Sequence, residues 1–140
     1  MEVPDEVRRE LEVVAARERV WAALTDPEQL VQWFPTNRAE IELRPGGDAL
    51  FEWEDSKDEA VVDIVEPPSR LVFRWRPAGL ERPFTTVSFT LEETPDGTRL
   101  TLVESGFASL PEQIAQRSRE GNDAGWAEEL DELKVYMEAA

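Results

Sequence analysis

Residues 19–34 read RVWAALTDPEQLVQWF and predict two short amphipathic helices joined at a sharp corner. The apolar face of the first helix is formed by Val20, Trp21 and Leu24. The apolar face of the second is formed by Leu30, Trp33 and Phe34. Because a residue before proline is pushed out of the helical region, we expect Asp26 to be extended and to cap a helix that begins at Pro27.

Seven segments outside this helix pair alternate between apolar and polar residues, as half-buried strands do. One precedes the pair and six follow it, at residues 9–15, 38–44, 49–54, 60–66, 71–76, 87–91 and 100–105. The links between them are short and include the turn signals Pro45-Gly46-Gly47 and Pro95-Asp96-Gly97, a polar run at 55–58 and a loop at 77–83. Since short links make successive strands antiparallel neighbours, we expect one curved antiparallel sheet, with a hairpin tip at 55–58.

The C-terminal segment, residues 111–140, is long enough to cover the apolar face of that sheet. It carries an apolar stripe formed by Trp126, Leu130, Leu133 and Met137. Four acidic residues lie largely off the stripe and are expected to be solvated, namely Glu128, Glu129, Asp131 and Glu132. The predicted fold class is α+β, with two short helices after the first of seven strands and a long C-terminal helix over the concave face.

Two glycines, Gly121 and Gly125, lie four residues apart in this C-terminal segment and would share one face of a helix. One interpretation is that their missing side chains leave space for a ligand between helix and sheet. The other, which we favour from the sequence, is a loop or helix start near residues 121–123, with Asp123 as the N-cap.

Composition limits the function before any motif is considered. The chain has 140 residues, which predicts a single domain over residues 1–140. Its net charge is -16, so binding to nucleic acid or to an anionic membrane surface is not expected. No apolar run approaches a membrane span, and no signal peptide is expected from the charged first residues. With no His and no Cys, the sequence predicts neither a metal site nor a cofactor, and the lack of Cys fits a cytoplasmic protein.

Several blocks of the sequence, taken together, resemble the activator of Hsp-90 ATPase homologue-like proteins. They read VWAALTDPEQLVQWF at 20–34, RPGGD at 44–48, VEPPSRLVFRW at 65–75, TRLTLVESGF at 98–107 and GWAEELDELKVYME at 125–138. This family lies in the START-related, helix-grip (SRPBCC) superfamily. The resemblance implies a seven-stranded antiparallel sheet that grips a C-terminal helix, with a cavity between them.

The resemblance implies a class of function more than a specific one. Members of the superfamily bind lipids, sterols, polyketides or plant hormones, and a few are cyclases or hydrolases. The eukaryotic co-chaperones that give the family its name carry an additional domain ahead of this one, so we do not expect chaperone activation to follow from the resemblance. A fold does not by itself define a function.

A cavity between sheet and helix would be lined by inward-facing strand residues and by the helix stripe. The candidate ligand-binding residues are Phe51, Trp53, Phe73, Trp75, Phe89, Glu104, Trp126 and Leu130. Aromatic side chains suit a pocket for a flat or apolar ligand, although such residues also fill protein cores.

Two carboxylates, Glu104 and Asp63, are in phase with apolar strand neighbours and could point inward. Burial would raise the pKa of such a group and equip it for acid–base work. The alternative is an exposed strand end or an arginine partner such as Arg74 or Arg99.

Three functions remain open at this point. The favoured one is a non-catalytic protein that binds a small apolar or aromatic ligand. The others are a polyketide cyclase-like or hydrolase-like enzyme that uses a cavity carboxylate, and a protein-interaction or co-chaperone-like module. A homodimer is a further possibility, for which an apolar patch on the helix pair would be the natural surface.

Overall fold

A computed structural model of the chain describes residues 5–34, 37–54, 57–76 and 85–139. The strands are β1 (Glu6–Val13), β2 (Arg38–Ile41), β3 (Asp48–Glu52), β4 (Lys57–Glu66), β5 (Arg70–Arg76), β6 (Thr85–Thr94) and β7 (Gly97–Ser105). The helices are α1 (Arg17–Thr25), α2 (Pro27–Trp33) and α3 (Glu112–Glu138), with a short 3-10 turn at Phe107–Ser109 before α3. The predicted loop at 77–83 and residues 55 and 56 of the predicted hairpin tip lie outside the described residues.

The seven strands form one antiparallel sheet in the order β1-β7-β6-β5-β4-β3-β2. Each strand from β2 to β7 pairs with its neighbour in sequence, as the short links predict. β1 pairs with β7 across the length of the chain, for example through Leu11 and Leu100. The predicted fold class is therefore confirmed.

The corner between α1 and α2 forms as the sequence predicts. Asp26 is extended, with φ -87° and ψ 117°, and its Oδ1 accepts a hydrogen bond of 3.0 Å from the backbone N–H of Glu28. Pro27 occupies the first position of α2. This corner turns the helix pair so that Trp33 and Phe34 are buried against the sheet.

The long helix α3 runs without interruption for 27 residues. The loop or helix start that the sequence favoured near residue 121 is therefore wrong. Asp123 is not an N-cap, because its Oδ1 instead accepts a hydrogen bond of 2.8 Å from Arg9 Nε on β1. Packing of Trp126, Leu130 and Leu133 on the sheet outweighs the low helix propensity of the two glycines, which amounts to about 1 kcal/mol each.

The core lies between the sheet and the helices. The predicted stripe of α3, formed by Trp126, Leu130, Leu133 and Met137, is buried against it. Within the described part of the chain, no helix combines the length and the apolar character needed to cross a membrane.

Candidate functional site

A pocket of about 160 Å³ opens between α3 and the strands β4, β5 and β7. Its aromatic wall is formed by Phe34, Trp53, Trp75 and Trp126. Its carboxylates are Asp58, Glu104 and Glu129. The helix contributes Asn122 and two glycines, Gly121 and Gly125. The site thus combines apolar ring faces with acidic groups in a small space.

The two glycines keep this space open. A Cβ atom built on either Gly121 or Gly125 would meet no neighbouring atom within 4 Å. Because α3 is continuous, both residues lie on one helical face and line the pocket, Gly125 half-buried and Gly121 exposed. The interpretation that the missing side chains leave room beside the sheet therefore matches the structure.

Glu104 is the buried acidic group of the pocket, with only 1% of its surface exposed. Its Oε1 accepts a hydrogen bond of 2.9 Å from Trp126 Nε1, and its Oε2 accepts one of 2.6 Å from Thr85 Oγ1. Asn122 Nδ2 lies 3.1 Å from both oxygens and donates to each. These contacts occupy about four acceptor positions, which is the capacity of a carboxylate.

Strand alternation explains why Glu104 points inward. Leu100 and Leu102 are buried on the same face of β7, and Glu104 follows in the same phase. Burial raises the pKa of Glu104, and the hydrogen bonds from Thr85, Trp126 and Asn122 offset part of that rise. Among the described residues, Arg99 pairs with Glu12 at 2.8 Å, so it is not the arginine partner that the sequence suggested for Glu104.

The other two carboxylates lie nearer the mouth of the pocket and are more exposed than Glu104. Asp58 Oδ2 accepts a hydrogen bond of 3.1 Å from Trp75 Nε1, and burial raises the pKa of Asp58. Burial, followed by the charges of Glu132 and Glu128, raises the pKa of Glu129 to about 8. Glu129 Oε2 is buried and has no hydrogen-bond partner among the described residues.

The structure divides the eight predicted ligand-binding residues into three groups. Four of them line the pocket: Trp53, Trp75, Glu104 and Trp126. Phe51, Phe73 and Phe89 surround a deeper void of only about 10 Å³. Leu130 is buried in the core and lines neither space.

Phe34 is the reason why the deep part of the sheet–helix space is filled. Its ring stacks on Trp126 with centroids 5.4 Å apart and an interplanar angle of 15°. It also meets Phe51 edge-on at 5.4 Å and Trp53 at 5.3 Å. The open space is consequently confined to one end of the interface, beside Gly121 and Gly125.

The inward orientation considered for Asp63 is wrong. Its side chain is 47% exposed, with Oδ1 4.0 Å from Arg74 Nε. The β4–β5 register shifts between Val62 and Ile64, so Asp63 lies at an irregularity where simple alternation fails. The arginine partner that the sequence offered as the alternative, Arg74, is the one observed.

Several pocket residues were not predicted from the sequence. Asp58 was assigned to a hairpin tip but belongs to β4, and Phe34 was assigned to helix packing alone. Glu129 was expected to be solvated, yet it follows Gly121 and Gly125 at intervals of four and shares their face. That spacing is the signal by which it could have been found.

A larger groove, of about 580 Å³, lies over β2, β3 and β4. It is lined by Glu40, Glu42, Asp48 and Glu59 together with small and aliphatic residues. It has no aromatic wall, and its Glu42 forms an ion pair of 2.8 Å with Arg44. Acidic groups in such surroundings are solvated surface charges, so the smaller aromatic pocket is the better candidate site.

Within the described part of the chain, no group of three or more acidic side chains is arranged to hold a metal ion.

Residues 14–138 match the family model described as activator of Hsp90 ATPase homolog 1-like protein. The chain belongs to this family. Since the match covers most of the chain, the resemblance drawn from the sequence blocks is confirmed. No match was found among curated proteins.

Solved structures of other proteins have the same fold, as three examples show. The protein MLL2253 from Mesorhizobium loti is 24% identical with a TM-score of 0.83, over 96% of this chain and 98% of that one. DynU16, from the dynemicin biosynthetic locus, is 30% identical with a TM-score of 0.83, over 97% of this chain. This chain spans 48% of the length of DynU16. The Aha1 dimer from Colwellia psychrerythraea is 20% identical with a TM-score of 0.79, over 95% and 96% of the two chains.

Proposed function

We propose that this protein binds a small apolar or aromatic molecule in the pocket between the sheet and α3. The observation that carries the proposal is the glycine face of α3. Gly121 and Gly125 hold a space open over Glu104, although alanine would fit the helix without a clash. A helix that served only to close the core would gain stability by filling that space.

The volume of the pocket limits the size of the ligand. Sites for drug-sized ligands are typically about 300–1,000 Å³. The pocket has about 160 Å³, and the deeper void adds only about 10 Å³. We therefore propose a ligand with roughly one aromatic ring rather than a sterol or a long acyl chain.

The pocket carboxylates favour an enzyme as the second candidate function. Groups whose pKa is raised inside a pocket are typical of acid–base catalysis. Glu104 is a poor proton donor or acceptor for a substrate, because its acceptor positions are already used by Thr85, Asn122 and Trp126. Asp58 and Glu129 would be the groups available to a cyclase-like or hydrolase-like reaction.

A protein-interaction role has less support. The large hydrophobic side chains that the described residues expose are Val14, Leu43 and Val135, and none of them lies on α1 or α2. Self-association is a separate proposal, for which the dimeric Aha1 of Colwellia psychrerythraea is a precedent. A cytoplasmic location also stays a prediction, based on the absence of Cys.

A thermal-shift screen with one-ring aromatic compounds tests the proposed binding. Gly125→Leu fills the pocket, whereas Ala124→Leu adds the same side chain to the same helix at an exposed position. A ligand at 100 times its dissociation constant stabilises the fold by about 2.7 kcal/mol, which corresponds to a shift of several degrees. We expect the shift in the wild type and in Ala124→Leu but not in Gly125→Leu.

Equal shifts in all three proteins, or no shift with any compound, would contradict the pocket as the binding site. Mass spectrometry of the bound compound after incubation separates the two candidate functions. An unchanged compound supports a binding protein, and a converted compound supports an enzyme.

A further inference from the structure

The charges of the pocket are all of one sign. Its lining includes three carboxylates, Asp58, Glu104 and Glu129, and no Lys or Arg among the described residues. Carboxylates removed from water are costly unless a partner compensates them. The pocket itself supplies only neutral hydrogen-bond donors, so a cationic ligand would add the compensation that the protein lacks.

Most of the hydrogen-bond donors of the pocket are already engaged. The indole N–H groups of Trp75 and Trp126 donate to Asp58 and Glu104, and the Asn122 amide donates to both oxygens of Glu104. Glu129 Oε2, in contrast, is a buried acceptor without a described partner. Glu129 is therefore a pocket group with vacant hydrogen-bonding capacity, and its carboxylate form can accept a hydrogen bond from a ligand donor.

The aromatic wall of the pocket also favours a positively charged ligand. The rings of Trp75 and Trp126 are buried and stacked on Phe51 and Phe34, so the half-buried Trp53 is the pocket tryptophan whose ring can contact a ligand. The electron-rich face of an indole attracts an ammonium group, and the attraction grows as the group is desolvated. The same faces pack against the ring of a small aromatic ligand.

We propose that the ligand class is a small aromatic amine, whose ammonium group is bound by Glu129 and Asp58 and whose ring packs against Trp53. This inference rests on the proposed function and names the ligand chemistry of the same pocket. Glu104 is not the group that binds the ammonium, since its own hydrogen bonds are complete.

Binding of an amine would be linked to proton release. The charges of Glu132 and Glu128 on its own helix act on Glu129, and Asp58 from β4 and Glu104 from β7 line the same pocket. From β1, Arg9 is paired with Asp123, and α2 contributes the neutral Gln32 to the neighbouring groove. The pKa of Glu129, about 8, means that this group holds a proton at neutral pH, and an ammonium ion displaces that proton.

Isothermal titration calorimetry with 2-phenylethylamine and its neutral analogue 2-phenylethanol tests this proposal. We expect the amine to bind at least tenfold more tightly than the alcohol at pH 8, the size of about one charge-assisted hydrogen bond. Its affinity should fall from pH 8 to pH 6, and the heat in buffers of different ionisation enthalpy should report proton release. Glu129→Gln should remove most of the preference, while Asp131→Asn, which deletes an exposed charge of the same helix, should keep it.

The two probes separate failure of this inference from failure of the proposed function. If the alcohol binds to the wild type as tightly as the amine, and not to Gly125→Leu, the pocket binds a ligand but the cationic preference is overturned. An amine affinity that is unchanged by pH, by Glu129→Gln or by Gly125→Leu reflects non-specific attraction to the acidic surface and also overturns it. Absence of binding by both probes contradicts the inference together with the one-ring pocket on which it rests.

Discussion

At the scale of single residues, burial of the Glu104 carboxyl group costs free energy, and its hydrogen bonds offset that cost. A carboxylate with 1% exposure would be strongly destabilising without donors, and Thr85, Asn122 and Trp126 supply them. These donors come from β6 and α3, so Glu104 ties the sheet to the helix at the pocket. We infer that Glu104 shapes the site and holds Trp126 in place.

Substitution of Thr85 by valine tests this role. Thr85→Val keeps the side-chain shape and removes the donor to Glu104 Oε2, and a hydrogen bond to a charged group contributes about 1.5–3 kcal/mol. We expect a loss of that size in the free energy of unfolding, measured by urea denaturation. The loss should grow as the pH rises, because the hydrogen bond from Thr85 lowers the pKa of Glu104 and so stabilises its ionised form. Thr86→Val, on the opposite face of β6, is the control, and an equal effect of both variants would contradict the role of Glu104.

Glu129 gives a pH-dependent prediction of its own. Its pKa is about 8 in the folded protein and about 4.3 in an unfolded chain, so the folded state holds the extra proton between these values. The contribution of this proton to the free energy of unfolding is therefore fully present below about pH 4, and it is lost as the pH rises through 8. Glu129→Gln keeps the neutral form at every pH.

We expect the melting temperature of Glu129→Gln to equal that of the wild type near pH 4 and to exceed it increasingly up to pH 8 or 9. Differential scanning calorimetry across this range measures the difference, with Asp131→Asn as the control for loss of one negative charge. A constant difference between Glu129→Gln and wild type at all pH values would show that Glu129 ionises normally.

Single residues also show how far the sequence predicts the site. Glu104 was found because its phase on β7 follows from two buried leucines. Asp63 was placed wrongly, since alternation cannot anticipate the register shift beside it. Glu129 was missed because an acidic residue on a helix is usually solvated, and its four-residue spacing from Gly121 and Gly125 was not used.

At the scale of elements, α3 shows a conflict between local preference and function. Gly121 and Gly125 weaken the helix, and they leave its pocket-facing side bare. Local propensity therefore favoured a break at residue 121, whereas packing of Trp126, Leu130 and Leu133 on the sheet keeps the helix continuous. Places where local rules fail in this way are often functional.

Replacement of either glycine by alanine should stabilise the protein. Both positions have room for a Cβ atom and lie inside a helix, so Gly121→Ala and Gly125→Ala should each add about 0.5–1 kcal/mol. Thermal denaturation measures the gain, and Ala124→Gly, at the exposed neighbour, should lower stability by a similar amount. Gly125→Ala should also weaken binding in the pocket. A stability loss in the alanine variants would mean that the glycines have another structural purpose.

At the scale of the whole molecule, the topology was predictable because the strand pairings from β2 to β7 are local, whereas the pairing of β1 with β7 spans the chain. Alternating strands, short links and one long apolar stripe leave few ways to arrange a sheet and a helix. The depth of the cavity was not predictable, because it depends on where one side chain, Phe34, places its ring. The sequence indicated an aromatic cavity along the sheet. In the structure, aromatic side chains fill most of that space, and the end beside Asp58, Glu104 and Glu129 is open.

The central claim is that this open end is a ligand site, and the five tryptophans offer a direct test. The Trp53, Trp75 and Trp126 side chains line the pocket, whereas Trp33 donates to the backbone oxygen of Ala23 and Trp21 packs in the helix pair. Their indole N–H signals can be followed separately by ¹H–¹⁵N NMR while 2-phenylethylamine or 2-phenylethanol is added. We predict saturable shifts of the three pocket signals with at least one probe and no change at Trp21 and Trp33. Shifts at Trp21 or Trp33 alone, or none at any tryptophan with either probe, would contradict the site.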